Sequence, residues 1–351
     1  MIPIPLNNRH GYETIPRNKD LKYTVPYSCD YPSKIGVIDW QGNCFVCICE
    51  IWLPIMVGNI DQFTRLEDIW NNDISRALQK DIMQDRKFTH CAVDRCGVLD
   101  YNITVPTHQL SINIDESCNL KCPSCRKNSI MITEGDEYQT KLTRAHHIVD
   151  LLEKFDQPCH IIMTGNGDPL ASAIMRPLIH SWRPKANHTI RLFTNGLLLE
   201  KQLEGNDIMQ HITEYMISID AGSKEVYEKV RLGGSWDQLI RNFNWLKRQL
   251  SDSKKQTKIQ FVLQKDNFLD LENFCELMVA YNFTASVTYL EDWGTWSQFS
   301  EHDVIGNTKH PDHVMAMHLL SRAIEKYHGD HVWFGSKLQQ VVGYRKKPSD
   351  I

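Results

Sequence analysis

The sequence predicts an α/β fold: a partial (β/α)6 barrel of TIM type, with a small cysteine-rich domain on its N-terminal side. Three observations predict it. From residue 108 onward, short apolar runs alternate with segments of helical period, the pattern of parallel strands joined by crossover helices. Cys118, Cys122 and Cys125 lie just after the first of those runs, where such a sheet places its active-site loops. Six further cysteines crowd into residues 29–96, more than packing alone requires.

Taken in order, residues 1–28 are polar and proline-dotted and read as an arm. An arm of that length is too short for a folded leader-peptide-binding domain. Residues 29–107 form the cysteine-rich block, with Cys29, then Cys44, Cys47 and Cys49 after a turn at Asp39-Trp-Gln-Gly42, then the closing pair Cys91 and Cys96. The barrel occupies 108–300. Its strands are expected at 109–114, 160–164, 189–194, 215–219, 258–263 and 284–290. Helices are expected near 141–156, 171–182, 199–213, 236–250 and 270–281. The fourth is the clearest, because Trp236, Leu239, Ile240, Phe243, Leu246 and Leu250 repeat at helical period. Residues 301–351 add one helix, about 311–327, and a tail.

Composition narrows the class. Hydrophobic residues are 42% and charged residues 23% of a 351-residue chain of net charge −4, as in an ordinary soluble domain. Basic residues occur only in small clusters, so no strong nucleic-acid signal is present. The most apolar stretch, 44–60, is interrupted by Glu50 and Pro54 and is too short to span a bilayer. No signal peptide is evident, and a cytoplasmic protein is expected. In a reducing compartment eleven cysteines suggest metal or redox work rather than disulfides.

Cys118, Cys122 and Cys125 stand at CxxxCxxC spacing. Three thiolates can wrap one face of an iron–sulfur cluster and leave one iron open, which makes a site reactive. The plainer reading is a zinc knuckle completed by a distant ligand. Four glycine- or polar-rich segments follow later strand ends. The first, Gly165-Asn166-Gly167-Asp168, offers close backbone approach and an acceptor for an ammonium group. Thr194-Asn195-Gly196 follows the third strand. Ser218 and Asp220 alternate from the end of the fourth, where a ribose hydroxyl could be held. Arg231 is a candidate carboxylate clamp or a plain ion pair. Gln264 follows the fifth strand. After the sixth, Trp293 and Trp296 could wall a substrate pocket or simply cap the barrel.

Together these features resemble the radical SAM family over roughly residues 108–300. The resemblance implies a [4Fe–4S] cluster on Cys118, Cys122 and Cys125 whose open iron chelates S-adenosyl-L-methionine. One-electron reduction then yields a 5′-deoxyadenosyl radical that takes hydrogen from a substrate. It also implies an external one-electron reductant of flavodoxin or ferredoxin type. Cofactor-binding positions carried over are Ser124, Gly165, Asn166, Gly167, Asp168, Thr194, Asn195, Ser218, Asp220, Arg231 and Gln264. Ser124 stands where the family has an aromatic residue; its backbone can still reach adenine.

The first block resembles a SPASM or twitch auxiliary domain on Gly42-x4-Cys47, Gly58-Asn59, Leu66-Glu-Asp-Ile-Trp70-Asn and Cys91/Cys96. In that class the domain usually follows the barrel; here it precedes it. The closing cysteines are too few for two clusters, so one auxiliary [4Fe–4S] cluster is expected. Its ligands are Cys47, Cys91, Cys96 and Cys29, with Cys44 and Cys49 as competitors for the fourth place. Cys159 and Cys275 read as packing. The resemblance implies a peptide or protein as the leading substrate class, with a small sugar- or nucleoside-like molecule as the alternative. A zinc-binding module and a non-catalytic electron carrier are the rival classes.

Overall fold

The computed structural model describes residues 29–48, 52–85, 87–88, 90–92, 96, 105–164, 166–250 and 256–344. The N-terminal arm, Cys49 and Gly165 lie outside them. The fold is α/β, a partial (β/α)6 barrel with a cysteine-rich N-terminal segment. It divides into two compact units. Unit 1 holds 1–117, 132–191 and 206–212; unit 2 holds 118–131, 192–205 and 213–351.

In unit 1 the strands are β1 (Ile35–Ile38), β2 (Asn43–Phe45), β3 (Gly58–Asn59), β4 (His108–Ile112) and β5 (Cys159–Met163). The parallel ladder β1–β4–β5 is in register at Gly36, Leu110 and Ile161. β2 pairs antiparallel with β1 and β3 antiparallel with β2, with Cys44 opposite both Ile38 and Gly58. The cysteine-rich segment thus extends the sheet of the barrel's first strands.

Among the described residues this unit has the α-helices α1 (Tyr31–Lys34), α2 (Asp68–Asn71), α3 (Asp73–Gln79) and α4 (Gly135–Lys154). Trp70 explains why the Leu66–Asn71 motif packs where it does. Its indole N–H donates to the Ile35 carbonyl at 3.0 Å, and its ring lies 4.7 Å from His108 and 6.0 Å from Phe155. α4 also contacts the cysteine-rich segment. Arg144 is bidentate to Asp61, with Nε at 2.9 and 3.1 Å and Nη2 at 2.6 Å. Gly42, at φ +86°, lies so close to Arg144 that a Cβ would fall 2.5 Å from Nε, so only glycine fits this turn.

β6 (His188–Thr194) crosses from one unit into the other at 191/192. Unit 2 continues with β7 (Ile212–Ser218), β8 (Gln256–Leu263), β9 (Thr284–Tyr289) and β10 (Val332–Phe334), all parallel where they pair. Its helices are α5 (Leu199–Leu203), α6 (Lys224–Val230), α7 (Trp236–Leu250), α8 (Leu271–Tyr281), α9 (His313–Tyr327) and α10 (Ser336–Val341). α7 spans the range expected from its periodicity, and Leu239, Phe243 and Leu246 are fully buried. α8 stops at Asn282, whose left-handed φ of +57° caps it.

Two expected helices are shorter than read. Residues 171–182 make only a single wide turn at Pro177–Ser181; proline has no N–H to bond backwards into a preceding turn. The stretch 199–213 splits at Gly205, φ +69°, into α5 and a tight turn at Asp207–Gln210, and β7 begins at Ile212.

His188 carries a testable consequence. It is 1% exposed and lies between Phe155 and Trp182, its ring 6.3 and 6.1 Å from theirs. Burial lowers its pKa from the usual 6.5. Below that pH the unfolded chain binds more protons than the folded one, so stability falls as pH drops through 6.5. The melting temperature is expected to decline from pH 7.5 to 5.5, and a His188→Leu variant to decline less steeply. Parallel declines in the two proteins would remove His188 from this account.

Candidate functional site

The cysteine loop opens within unit 2. The Cys118 N–H donates to the Ile130 carbonyl at 2.9 Å, and Lys121 N–H to Leu232 at 2.9 Å. The Cys122 carbonyl accepts from the Cys125 and Arg126 N–H groups, both at 3.0 Å. These bonds fold the loop so that Cys118 and Cys122 are buried while Cys125 is exposed. Donors converge on the two buried sulfurs. Cys118 Sγ lies 3.4 Å from the Leu120 amide and 3.8 Å from Asn195 Nδ2. Cys122 Sγ lies 3.7 Å from Arg231 Nη1. Burial raises the Cys122 thiol pKa, partly offset by Arg231.

Arg231 is anchored by a 2.7 Å ion pair to Asp220, with side-chain exposures of 12% and 3%. Burial works against the guanidinium charge, but the Asp220 carboxylate and Cys122 outweigh it and Arg231 keeps its proton. Asp220 sits at φ +56°, accepts the Val262 N–H at 2.8 Å, and its carbonyl accepts Asn267 Nδ2 at 3.0 Å. These bonds hold Asp220 in a left-handed turn that aspartate tolerates. Ser218 Oγ donates to Gln260 Oε1 at 3.0 Å. Thr194 Oγ1 accepts from Gly196, and Asn195 Oδ1 from Leu197. Gln264 is 3% exposed, and its Nε2 has no hydrogen-bond partner among the described residues. An unpaired buried amide costs free energy unless a ligand meets it. Ser124 lies in the turn between Cys122 and Cys125.

In unit 1, Asp168 is 3% exposed, its amide donates to Ser117 at 2.8 Å, and its Oδ1 accepts from Leu170 at 2.9 Å. Gly167 passes so close to Ser117 that a Cβ would lie 2.2 Å from its carbonyl oxygen. The Asn166 amide donates to Asn113 Oδ1 at 3.0 Å. Gly165 is outside the described residues. Sequence reading missed Asp115, three residues before Cys118. Its carboxylate accepts from Ser172 at 2.5 Å and lies 4.0 Å from the buried Lys141 ammonium. The two residues stand far apart in sequence with no shared motif, so spacing gave no sign of the pair.

The auxiliary cysteines also lie in unit 1. Cys47 is buried, and Cys29, Cys91 and Cys96 are half-buried. Burial first, and then the charges of Cys47, Cys29 and Cys96, raise the Cys91 thiol. Burial and Cys96 likewise push Cys29 up to about 11. Thiols close enough to raise Cys91 and Cys29 in this way are neighbours, and a cation among them would reverse the penalty. Cys44 stands apart from that group: it is fully buried, and its neighbouring charges are Asp39, Asp61 and Arg144. Cys49 lies outside the described residues. Cys159 and Cys275 are buried, each thiol pushed up to about 12 chiefly by burial. Among the described residues no three Cys, His, Asp or Glu side chains converge tightly enough for a single metal ion. A four-iron cluster holds its ligands farther apart than one ion does, and the donor set of thiols with N–H groups aimed at them fits such a cluster.

The radical SAM superfamily model matches residues 112–278, and the SPASM iron–sulfur cluster-binding domain model matches 29–97. The chain carries a radical SAM domain over residues 112–278, preceded by a SPASM-like auxiliary iron–sulfur domain over 29–97. It is 23% identical over 235 residues to mycofactocin maturase MftC of Mycolicibacterium smegmatis, covering 67% of this chain and 55% of that protein. It is 25% identical over 169 residues to a probable GTP 3′,8-cyclase of Methanocaldococcus jannaschii, covering 48% and 53%. The chain spans about half the length of these curated relatives. A solved structure of Streptococcus suis SuiB bound to precursor peptide SuiA is 13% identical, with a TM-score of 0.40 over 81% of this chain and 70% of that one. Among the described residues no helix is long and apolar enough to cross a membrane.

Proposed function

We propose that this chain binds S-adenosylmethionine at a [4Fe–4S] cluster held by Cys118, Cys122 and Cys125, and directs the resulting radical chemistry at a C–H bond of a substrate. The observation that carries this reading is the convergence of N–H donors on the buried Cys118 and Cys122 sulfurs. When bound, the cluster supplies the electron that cleaves S-adenosylmethionine to a 5′-deoxyadenosyl radical. The chain's own residues hold and shield that chemistry. Arg231, charged and buried, stabilises negative charge on Cys122; Asn195 does the same for Cys118 while its Nδ2 also donates to Asn119 at 2.8 Å. Gln264 offers its unpaired amide to a polar ligand atom. Asn166, Gly167 and Asp168, with Gly165 before them, are the backbone cradle for the amino-acid part of the cofactor, and Ser124 lends backbone to its adenine. Within unit 2, Ser218, Asp220, Thr194 and Asn195 are the proposed nucleoside-binding positions. An external flavodoxin- or ferredoxin-like protein is the expected source of electrons.

Cys29, Cys47, Cys91 and Cys96 are proposed to hold one auxiliary [4Fe–4S] cluster; the influence of Cys47, Cys29 and Cys96 on Cys91, and of Cys96 on Cys29, supports the grouping. The native protein, reconstituted anaerobically, is expected to hold about eight irons per chain, two four-iron clusters. The Cys91→Ala/Cys96→Ala variant is expected to hold about half that. Unchanged iron in the variant removes the auxiliary cluster from this reading.

A peptide or protein is the leading substrate class and a small sugar- or nucleoside-like molecule the second. Among the relatives, the probable GTP 3′,8-cyclase is by name an enzyme of a nucleotide. The small-molecule reading draws on a cavity of about 380 Å³ in unit 2, at the low end of small-ligand sites. Mass analysis of candidate peptides and metabolites after turnover, looking for loss of hydrogen, separates the two.

A further inference from the structure

Asp115 is a buried acid that the chemistry proposed so far does not use. It lies in unit 1, three residues past the end of β4 and three before Cys118 in sequence. Its carboxylate faces the Lys141 ammonium of α4 at 4.0 Å, with side-chain exposures of 1% and 4%. Lys141 Nζ also lies 3.0 Å from Glu137 Oε1, on a side chain that is mostly exposed, and 5.6 Å from the centroid of the Trp40 ring. Taking two charges out of water is costly, and a buried pair is by itself weak evidence of added stability. The second carboxylate oxygen of Asp115 points to another role.

That oxygen, Oδ2, accepts the Ser172 hydroxyl at 2.5 Å, a length typical of a hydroxyl bonded to a carboxylate. Ser172 is buried; its hydroxyl oxygen accepts the Met175 N–H at 3.0 Å, and its own N–H donates to the Asp168 carbonyl at 3.1 Å. Ser172 thus joins Asp115 to the last residue of the 165–168 segment. Two further bonds join the same stretches. The Asn166 N–H donates to Asn113 Oδ1 at 3.0 Å, and the Asp168 N–H to the Ser117 carbonyl at 2.8 Å. Residues 113–117, which lead into Cys118, are therefore laced to residues 166–172 at three points. Of the three, only the Asp115–Ser172 bond runs between two side chains, so it alone can be released without touching a backbone donor.

We propose that Asp115 is a positioning residue for S-adenosylmethionine: through Ser172, and backed by the opposite charge of Lys141, it fixes where the 166–168 cradle stands relative to the residues that precede Cys118. The proposal rests on the reading above, in which that cradle receives the amino-acid part of the cofactor. Freeing the Ser172 hydroxyl leaves the cradle with the same backbone donors but a wider range of positions, and binding then has to order it. The loss falls on the amino-acid part of the ligand and spares its nucleoside.

The test uses the full chain, reconstituted anaerobically, with two ligands titrated by calorimetry. S-adenosylmethionine carries the amino-acid part, and 5′-methylthioadenosine lacks it. Ser172→Ala is expected to weaken S-adenosylmethionine about ten-fold, while 5′-methylthioadenosine binding and iron content stay at native values. The double variant Asp115→Asn/Lys141→Met removes both charges and keeps an oxygen for the Ser172 hydroxyl, so neither partner is left buried and unpaired. It is expected to weaken S-adenosylmethionine by a smaller factor, about three-fold, with the same selectivity between the two ligands. Native S-adenosylmethionine affinity in Ser172→Ala overturns the proposal. Equal weakening of both ligands overturns it as well, as does loss of iron in step with affinity, because each marks a general loosening rather than a displaced cradle. Failure of the native protein to bind S-adenosylmethionine would sink the cofactor reading, and the proposal with it.

Discussion

Replacing Cys118, Cys122 and Cys125 together with alanine is expected to bring 5′-deoxyadenosine formation down to background. The assay is anaerobic incubation of reconstituted protein with a strong reductant and S-adenosylmethionine, with the nucleoside quantified by chromatography. The reasoning is coordinative. A three-cysteine set has no spare ligand, so removing it removes the only thiolates on the loop after β4, and with them the electron route to the cofactor. Fold loss is a weak confounder, because Cys125 is exposed and Cys118 and Cys122 are small. Native-level 5′-deoxyadenosine from the triple variant would sink the assignment. Stoichiometric zinc without iron or sulfide in the native protein would instead favour a structural metal module.

The largest expected loss of stability comes from the Asp220–Arg231 pair. Asp220→Asn keeps the side-chain shape, and asparagine tolerates the left-handed backbone at this position. It leaves the Arg231 guanidinium buried without a counter-charge. Breaking a buried pair from one side costs about 3–5 kcal/mol. Urea unfolding under anaerobic conditions should show a loss of that order. The double variant Asp220→Asn/Arg231→Met should recover part of it, since no unpaired charge then remains. A single variant within about 0.5 kcal/mol of native would mean that solvent or another group already shares the charge. Because Arg231 also faces Cys122, the single variant should retain less iron than native after mild chelation, a readout that a purely structural pair would not move.

Much of this was legible beforehand because it rests on local pattern. The six barrel strands follow from alternation, with only terminal differences, and α7 from its apolar stripe. β10 and α6 were not legible: one has three residues and the other seven, too short to show a period. Proline and glycine broke two expected helices, and a count of apolar positions weighs neither. At the site, the cysteine spacing and the order of the strand-end segments could be read directly. The partnership of Asp220 with Arg231 could not, because it depends on how the chain turns at a left-handed residue and returns through α6. The choice among Cys29, Cys44 and Cys49 was open on sequence. Cys44 lies within the β1–β2–β3 ladder and among Asp39, Asp61 and Arg144, the Cys29 thiol is raised by Cys96 and itself raises Cys91, and Cys49 lies outside the described residues.

The parallel pairing of β1 with β4 bears on biogenesis. β1 leaves the ribosome some seventy residues before the strand it must lie beside, and a parallel partner cannot be met by a hairpin. Until β4 emerges, β1 can hold only β2 and β3, a narrow ribbon of the kind that is marginal by itself. The cysteine-rich segment therefore matures with the barrel's first strands rather than ahead of them. Trimming it away would leave β4 with an uncovered backbone edge, an invitation to self-association. Chain order, unusual for this pair of modules, thus makes the smaller one a folding partner of the larger.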